Sequence, residues 1–164
     1  MKKVKVQQLS LEAFKKYGYY ANMIDPDGEY FGKDPSRFYP DMVPFNLSSK
    51  NIGLSVCKIS KREKIIDAME YHTNTPEGIM PLDADVLMQV APVSPDGEVP
   101  LDKIEVFYIP KGTMVVIRPG VWHHSVFVKD SESVNVLIVL PERTYANDCI
   151  VVDLKSEEYV QILD

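Results

Sequence analysis

Beyond residue 50 the chain is a succession of short β-type runs parted by turn residues, and no helical period is sustained among them. The runs are 54–59, 64–72, 86–91, 104–109, 113–118, 122–128, 134–140 and 150–154. The stretch Ser94-Pro95-Asp96-Gly97 reads as a loop, and Lys129-Asp130-Ser131 reads as a hairpin-type turn. Many short strands with no helices between them leave little choice of architecture. The expectation is a mainly β fold, an antiparallel barrel or sandwich of the jelly-roll kind.

Before residue 50 the text changes. Ser10-Leu11-Glu12-Ala13-Phe14 predicts a helix start, with Ser10 as N-cap and Gly18 as its stop. From Tyr19 to Pro44 there is no period, and the stretch is rich in proline, aspartate and aromatic residues. It reads as an irregular arm that packs on something. With 164 residues the chain suits one domain, residues 1–164, with a helix and arm over 1–50 and a β-barrel over 51–164.

A net charge of −6 argues against nucleic acid and anionic membrane as partners. No apolar run reaches the length of a bilayer span, and Met1-Lys2-Lys3 opens no signal pattern, so a cytoplasmic protein is expected. Cys57 and Cys149 form no close metal-type pair and are expected to be buried free thiols.

All three histidines fall in two segments, Glu70-Tyr71-His72 with Glu77 after it, and Gly120-Val121-Trp122-His123-His124. Groups that titrate near neutral pH and bind transition metals are thus concentrated. On a regular strand over 64–72, Ile66, Ala68, Glu70 and His72 share a face. On the second strand His123 and His124 point opposite ways unless a bulge intervenes. His123 is then the inward histidine, and His124 is either a substrate contact or an interface or packed residue.

Two motif halves resemble the cupins. Gly112, then Arg118-Pro119-Gly120, then His123 follow the second cupin motif, departing at Arg118 and Phe127. Glu70-Tyr71-His72 with Glu77 resembles the first, with glutamate in place of its first histidine. A narrower resemblance is to the ureidoglycolate lyase family, a cupin-fold group. It is carried by Glu70-x-His72, Ile79-Met80-Pro81-Leu82, Val90-Ala91-Pro92 and Gly120-Val121-Trp122-His123-His124. The chain departs from that family at Tyr71, at Glu77, where the family tends to carry glutamine, and at Ser125.

The resemblance implies splitting of a carbinolamide, ureidoglycolate, into glyoxylate and urea. Such a lyase needs a base and an acid of separated pKa, and His72, His123, Glu70 and Glu77 are the candidates. Arg118, His124 and Arg143 are candidates to hold the substrate, the arginines through its carboxylate, with a salt bridge at the barrel rim as the other reading of Arg118. Glu70, His72, Glu77 and His123 also form a possible two-histidine, two-carboxylate site for Mn, Fe, Ni or Zn. A metal-free pocket with the acids paired to histidines stands beside it. Two other functions stay open, a non-catalytic small-molecule-binding cupin and another metal-dependent cupin enzyme such as a sugar isomerase or oxygenase. A homodimer is expected, with the aromatic arm or the outer face of the Trp122 strand at the interface.

Overall fold

The computed structural model describes residues 1–164 and is mainly β, as the alternating runs predict. One sheet holds, in spatial order, Ile150–Asp153, Ala68–Tyr71, Trp122–His123, Val86–Ala91, Glu105–Ile109, Lys2–Gln8, Val160–Leu163 and Ile65–Ile66. Phe127–Val128 also pairs with Val86–Ala91. A second sheet holds Gly18–Asn22, Thr113–Ile117, Glu77–Pro81, Ser133–Pro141 and Ile52–Ser60. All ladders are antiparallel except those of Lys2–Gln8, which runs parallel to both its neighbours.

Two cores explain why Val86–Ala91 is buried at every position. Val86, Met88 and Val90 face the second sheet and pack with Phe107, Val115 and Val136. Leu87 and Ala91 face the other way and pack with Met69, Trp122, Val160 and Ile162. Those partners belong to the first sheet itself, so that sheet curls over and closes a core of its own. A strand buried on both faces reads as a continuous apolar run, which is what this one is.

The N-terminal region departs from expectation. Ser10 does cap a helix, accepting from the Ala13 N–H at 3.3 Å, but Leu11–Phe14 is a single turn. Residues 2–8 are a strand between Glu105–Ile109 and Val160–Leu163, and Gly18–Asn22 edges the second sheet. The division at residue 50 therefore does not separate an arm from the barrel. Lysines at positions 2, 3 and 5 masked the strand, because it buries only Val4 and Val6 against the core. The remaining arm carries a small hairpin, Phe31–Lys33 with Ser36–Phe38.

Two expected strands are interrupted. The 64–72 run breaks at Asp67, so Ile66 joins the outer core while Glu70 and His72 keep the inner face. The 122–128 run breaks into Trp122–His123 and Phe127–Val128. His123 pairs with Val90 and Phe127 with Leu87. Three residues, 124–126, therefore oppose two, 88 and 89, which is a β-bulge.

Candidate functional site

The turn into the second histidine segment is built by Arg118-Pro119-Gly120-Val121. Gly120 sits at φ +77°, the position where a proline-led type II turn calls for glycine. Its N–H donates to the His72 carbonyl at 2.7 Å, and His123 then pairs with Glu70 across the ladder. The two histidine segments are thus stitched together by backbone. Glu77 arrives from the facing sheet, at the end of the strand paired with Thr113–Ile117.

These elements bring three side chains to one point. His72 Nε2 lies 2.8 Å and His123 Nε2 lies 2.7 Å from the same oxygen, Glu77 Oε2. All three residues are buried. The other ring nitrogens are committed elsewhere, His72 Nδ1 to the Asp148 carbonyl at 2.6 Å and His123 Nδ1 to the Val121 carbonyl at 2.9 Å. Asp148 is itself fixed, its carboxylate accepting from the Thr73 and Asn74 N–H groups at 2.8 Å each.

That arrangement has an electrostatic consequence. A carbonyl only accepts, so both Nδ1 atoms carry hydrogen. Each Nε2 then meets a carboxylate oxygen at hydrogen-bonding distance and needs either a proton or a cation. With protons, two imidazolium charges against one carboxylate leave +1 on a buried trio. Burial alone would lower both histidine pKa values, but the Glu77 carboxylate outweighs it and both end above the ordinary value. Burial would likewise raise Glu77, and the two imidazoles instead pull it down to about 2. The donor set fits a divalent transition metal equally well. The potential ligand atoms lie within 4.8 Å of one another, and each imidazole is oriented by a carbonyl on its far nitrogen, the usual support of a metal-bound histidine.

Beside the trio lies a cavity of about 140 Å³. Glu77 lines it, and both of that residue's hydrogen bonds use Oε2. Glu70, His124 and Ser125 line the wall given by the first sheet. The bulge is what turns His124 inward after His123, and it restores the parity that buries Val126 and Val128 in the inner core. Two donors hold the bulged Ser125 carbonyl, Gln89 Nε2 at 3.2 Å and Arg62 Nη2 at 2.9 Å.

Glu70 does not join the trio, contrary to the four-ligand expectation. It faces His124 Nδ1 at 3.3 Å, too poorly aligned for a hydrogen bond, so that buried nitrogen has no bonded partner. Burial raises the Glu70 pKa, but His124 and His123 outweigh it and leave it below the ordinary value. Cys149 donates to Glu70 at 3.2 Å, and burial together with that carboxylate pushes its thiol up to about 12. It is a protonated donor and no nucleophile. Both cysteines are free thiols, though only half-buried.

The other candidates lie apart. Arg118 donates to the Lys15 carbonyl and stacks on Tyr19 at 4.6 Å. Arg143 is exposed at the start of the Thr144–Asn147 helix. Neither lines the cavity, so the expected arginine clamp on a substrate carboxylate is absent from it. Trp122 packs edge-on against Tyr71 with ring centroids 4.6 Å apart and donates to Ser94 at 2.9 Å. It is fully buried in the outer core and is no interface anchor. The sequence reading missed Cys57, Ser125 and the apolar wall of the cavity. Alternation along 54–59, which places Cys57 and Ile59 on one face, was the available signal.

The family model for ureidoglycolate lyase matches residues 1–161 of the chain. No curated protein sequence matches it. Similar solved structures include Bacillus subtilis oxalate decarboxylase, whose Mn(II) centres have been studied. It is 20% identical with a TM-score of 0.44, over 65% of this chain and 24% of that one. The chain thus spans about a quarter of that protein. A dTDP sugar isomerase from Desulfovibrio desulfuricans G20 is 9% identical with a TM-score of 0.49, over 79% of this chain and 83% of that one. Procruciferin, an 11S globulin of Brassica napus, is 17% identical with a TM-score of 0.39, over 61% and 23%.

Proposed function

The chain belongs to the ureidoglycolate lyase family, and from that premise we propose that it is a metal-assisted lyase. Its substrate is a small carboxylate-bearing carbinolamide of the ureidoglycolate type, released as an aldehyde acid and urea. The observation that carries the reading is the shared Glu77 oxygen, where two imidazoles with committed far nitrogens meet one carboxylate. His72, Glu77 and His123 would hold a divalent ion of the Mn, Fe, Ni or Zn group. When bound, such an ion supplies Lewis acidity toward the substrate hydroxyl.

The protein's own groups divide the proton work. Glu70 is ionised at neutral pH and takes the hydroxyl proton as the carbon–oxygen double bond forms. The carbon–nitrogen bond breaks, and the departing urea nitrogen receives a proton from the His124 side of the pair. The Ile and Val side chains around the cavity keep bulk water from the reacting carbon. No lysine or arginine lines the cavity, and of the trio only Glu77 does, so a cation held by the trio would be the charge partner of the substrate's anionic end.

A glyoxylate-release assay on ureidoglycolate tests the reading. Activity is expected in protein supplied with Mn²⁺ or Zn²⁺, and Glu70→Gln is expected to lower it by about 10²-fold or more, as for loss of a general base. Full activity in Glu70→Gln would contradict the assignment.

A further inference from the structure

Two apolar surfaces of the chain are left bare, on different parts of it. The first is the free edge of the second sheet. Ile52–Ser60 is its last strand, and the outward positions Ile52, Leu54 and Val56 are all apolar and exposed, Leu54 at 71%. Leu137 and Val139 stand beside Val56 and Leu54 on the same face and are only half-buried. Further in, that face is covered. A Cβ on Gly78 would fall 2.5 Å from the Phe45 ring, and Val116, paired with Gly78, is buried. The cover stops short of Leu54 and Val56.

The second surface is the hairpin Phe31–Lys33 with Ser36–Phe38. One of its faces packs on itself, with Tyr30 and Tyr39 ring centroids 5.4 Å apart, Arg37 over Tyr30 at 5.0 Å, and Arg37 paired with Asp34 at 2.9 Å. Strand alternation puts the paired Phe31 and Phe38 on the other face, exposed at 68% and 63%. A lone two-stranded hairpin is marginal in water, so one that presents two phenylalanines calls for a support. The charges match as well. Residues 50–62 carry Lys50, Lys58, Lys61 and Arg62 and no acid. Lys61 and Arg62 pair with Glu132 and Asp67, while the exposed Lys50 and Lys58 make no salt bridge. The acid that Lys58 influences, Asp83, is already held by Asn135 through both oxygens. Just before the hairpin stand Asp25, Asp27 and Glu29, exposed and likewise without a salt bridge.

We propose that a second copy of this chain covers both surfaces. In a two-fold dimer each copy lays Phe31 and Phe38 of its hairpin on Leu54, Val56, Leu137 and Val139 of the other. The symmetry makes the contact twice. Sheet against sheet would instead bring lysines to lysines, and hairpin against hairpin would bring acids to acids. The tyrosine face holds the hairpin in shape beforehand, so little ordering opposes binding. The strand that receives it also gives Cys57 and Ile59 to the cavity, so the partner braces that wall. The dimer does not depend on the chemistry of the site.

Sedimentation velocity of the full chain at micromolar concentration tests it, and a dimer is expected. Phe31→Ser with Phe38→Ser, and separately Leu54→Thr with Val56→Thr, are each expected to raise its dissociation constant by about 10²-fold or more, the scale of losing apolar anchors. All four positions are exposed within the chain, and threonine keeps strand propensity, so circular-dichroism melts should show both variants folded. In an equimolar mixture of the two variants the heterodimer is expected to exceed both homodimers, because only the mixed pair unites an intact hairpin with an intact sheet. A monomeric parent, a dimer that either variant leaves unchanged, or a mixture without heterodimer would overturn the proposal.

Discussion

Glu77 accepts from two imidazoles through one oxygen, and that fixes how the trio responds to pH in protein stripped of metal. His72 and His123 have folded pKa values raised above 6.5, so the stability they lend is complete below that value and is lost as pH rises through the folded values. Glu77 runs oppositely. Its pKa falls from 4.5 to about 2, so its contribution is present above 4.5 and is lost only in strong acid. Chelator-treated protein should therefore melt highest between about pH 4.5 and 6.5 and lose melting temperature toward pH 9. Glu77→Gln should flatten that slope. A melting temperature that climbs from pH 6 to 9 in chelator would refute the charge assignment. At this scale His72, Glu77 and His123 were legible, because motif spacing reports residue identity directly. The place of Glu70 outside the trio was not, since its separation from the other three depends on where His124 turns.

The Val86–Ala91 and Trp122–Val128 pairing shows why. Alternation allowed one inward histidine, and a one-residue bulge admits two. Nothing in 122–128 marks the bulge, because its fastening lies on other elements, Gln89 on Val86–Ala91 and Arg62 in the turn after Ile52–Ser60. The strand at 86–91 was read with its full bounds, since an apolar run buried on both faces needs no partner to be recognised. The two donors to the Ser125 carbonyl should act redundantly. Gln89→Leu and Arg62→Met singly are expected to cost about 1 kcal/mol or less. Together they are expected to release the bulge, with a coupling of roughly 1–2 kcal/mol beyond their sum. Side-chain NMR reads this cleanly, because the chain has only three histidines. In the double variant the His124 signals should move while those of His72 and His123 hold. Movement of all three, or of none, would count against a bulge held this way.

In the whole molecule the N-terminal strand closes the first sheet. Lys2–Gln8 bonds to Glu105–Ile109 on one side and Val160–Leu163 on the other. Deleting residues 1–8 should abolish cooperative unfolding in a circular-dichroism melt, since it opens two ladders and strips Val4 and Val6 from the outer core. A cooperative melt of the truncated chain would show that the strand is dispensable. The sandwich class was legible from the spacing of turns, but this parallel insertion was not. A strand whose outward positions are lysines carries too little apolar alternation to stand out. No helix is long and apolar enough to cross a membrane.

The central claim is that His72, Glu77 and His123 form one cation site. Equilibrium dialysis of chelator-stripped protein against Mn²⁺ at pH 7.5, read by elemental analysis, tests it most directly. One ion per chain is expected in the parent protein, and loss of that ion in both His123→Ala and Glu77→Gln, with Glu70→Gln retaining it. Retention of the ion by His123→Ala, or no ion in the parent, would contradict the account.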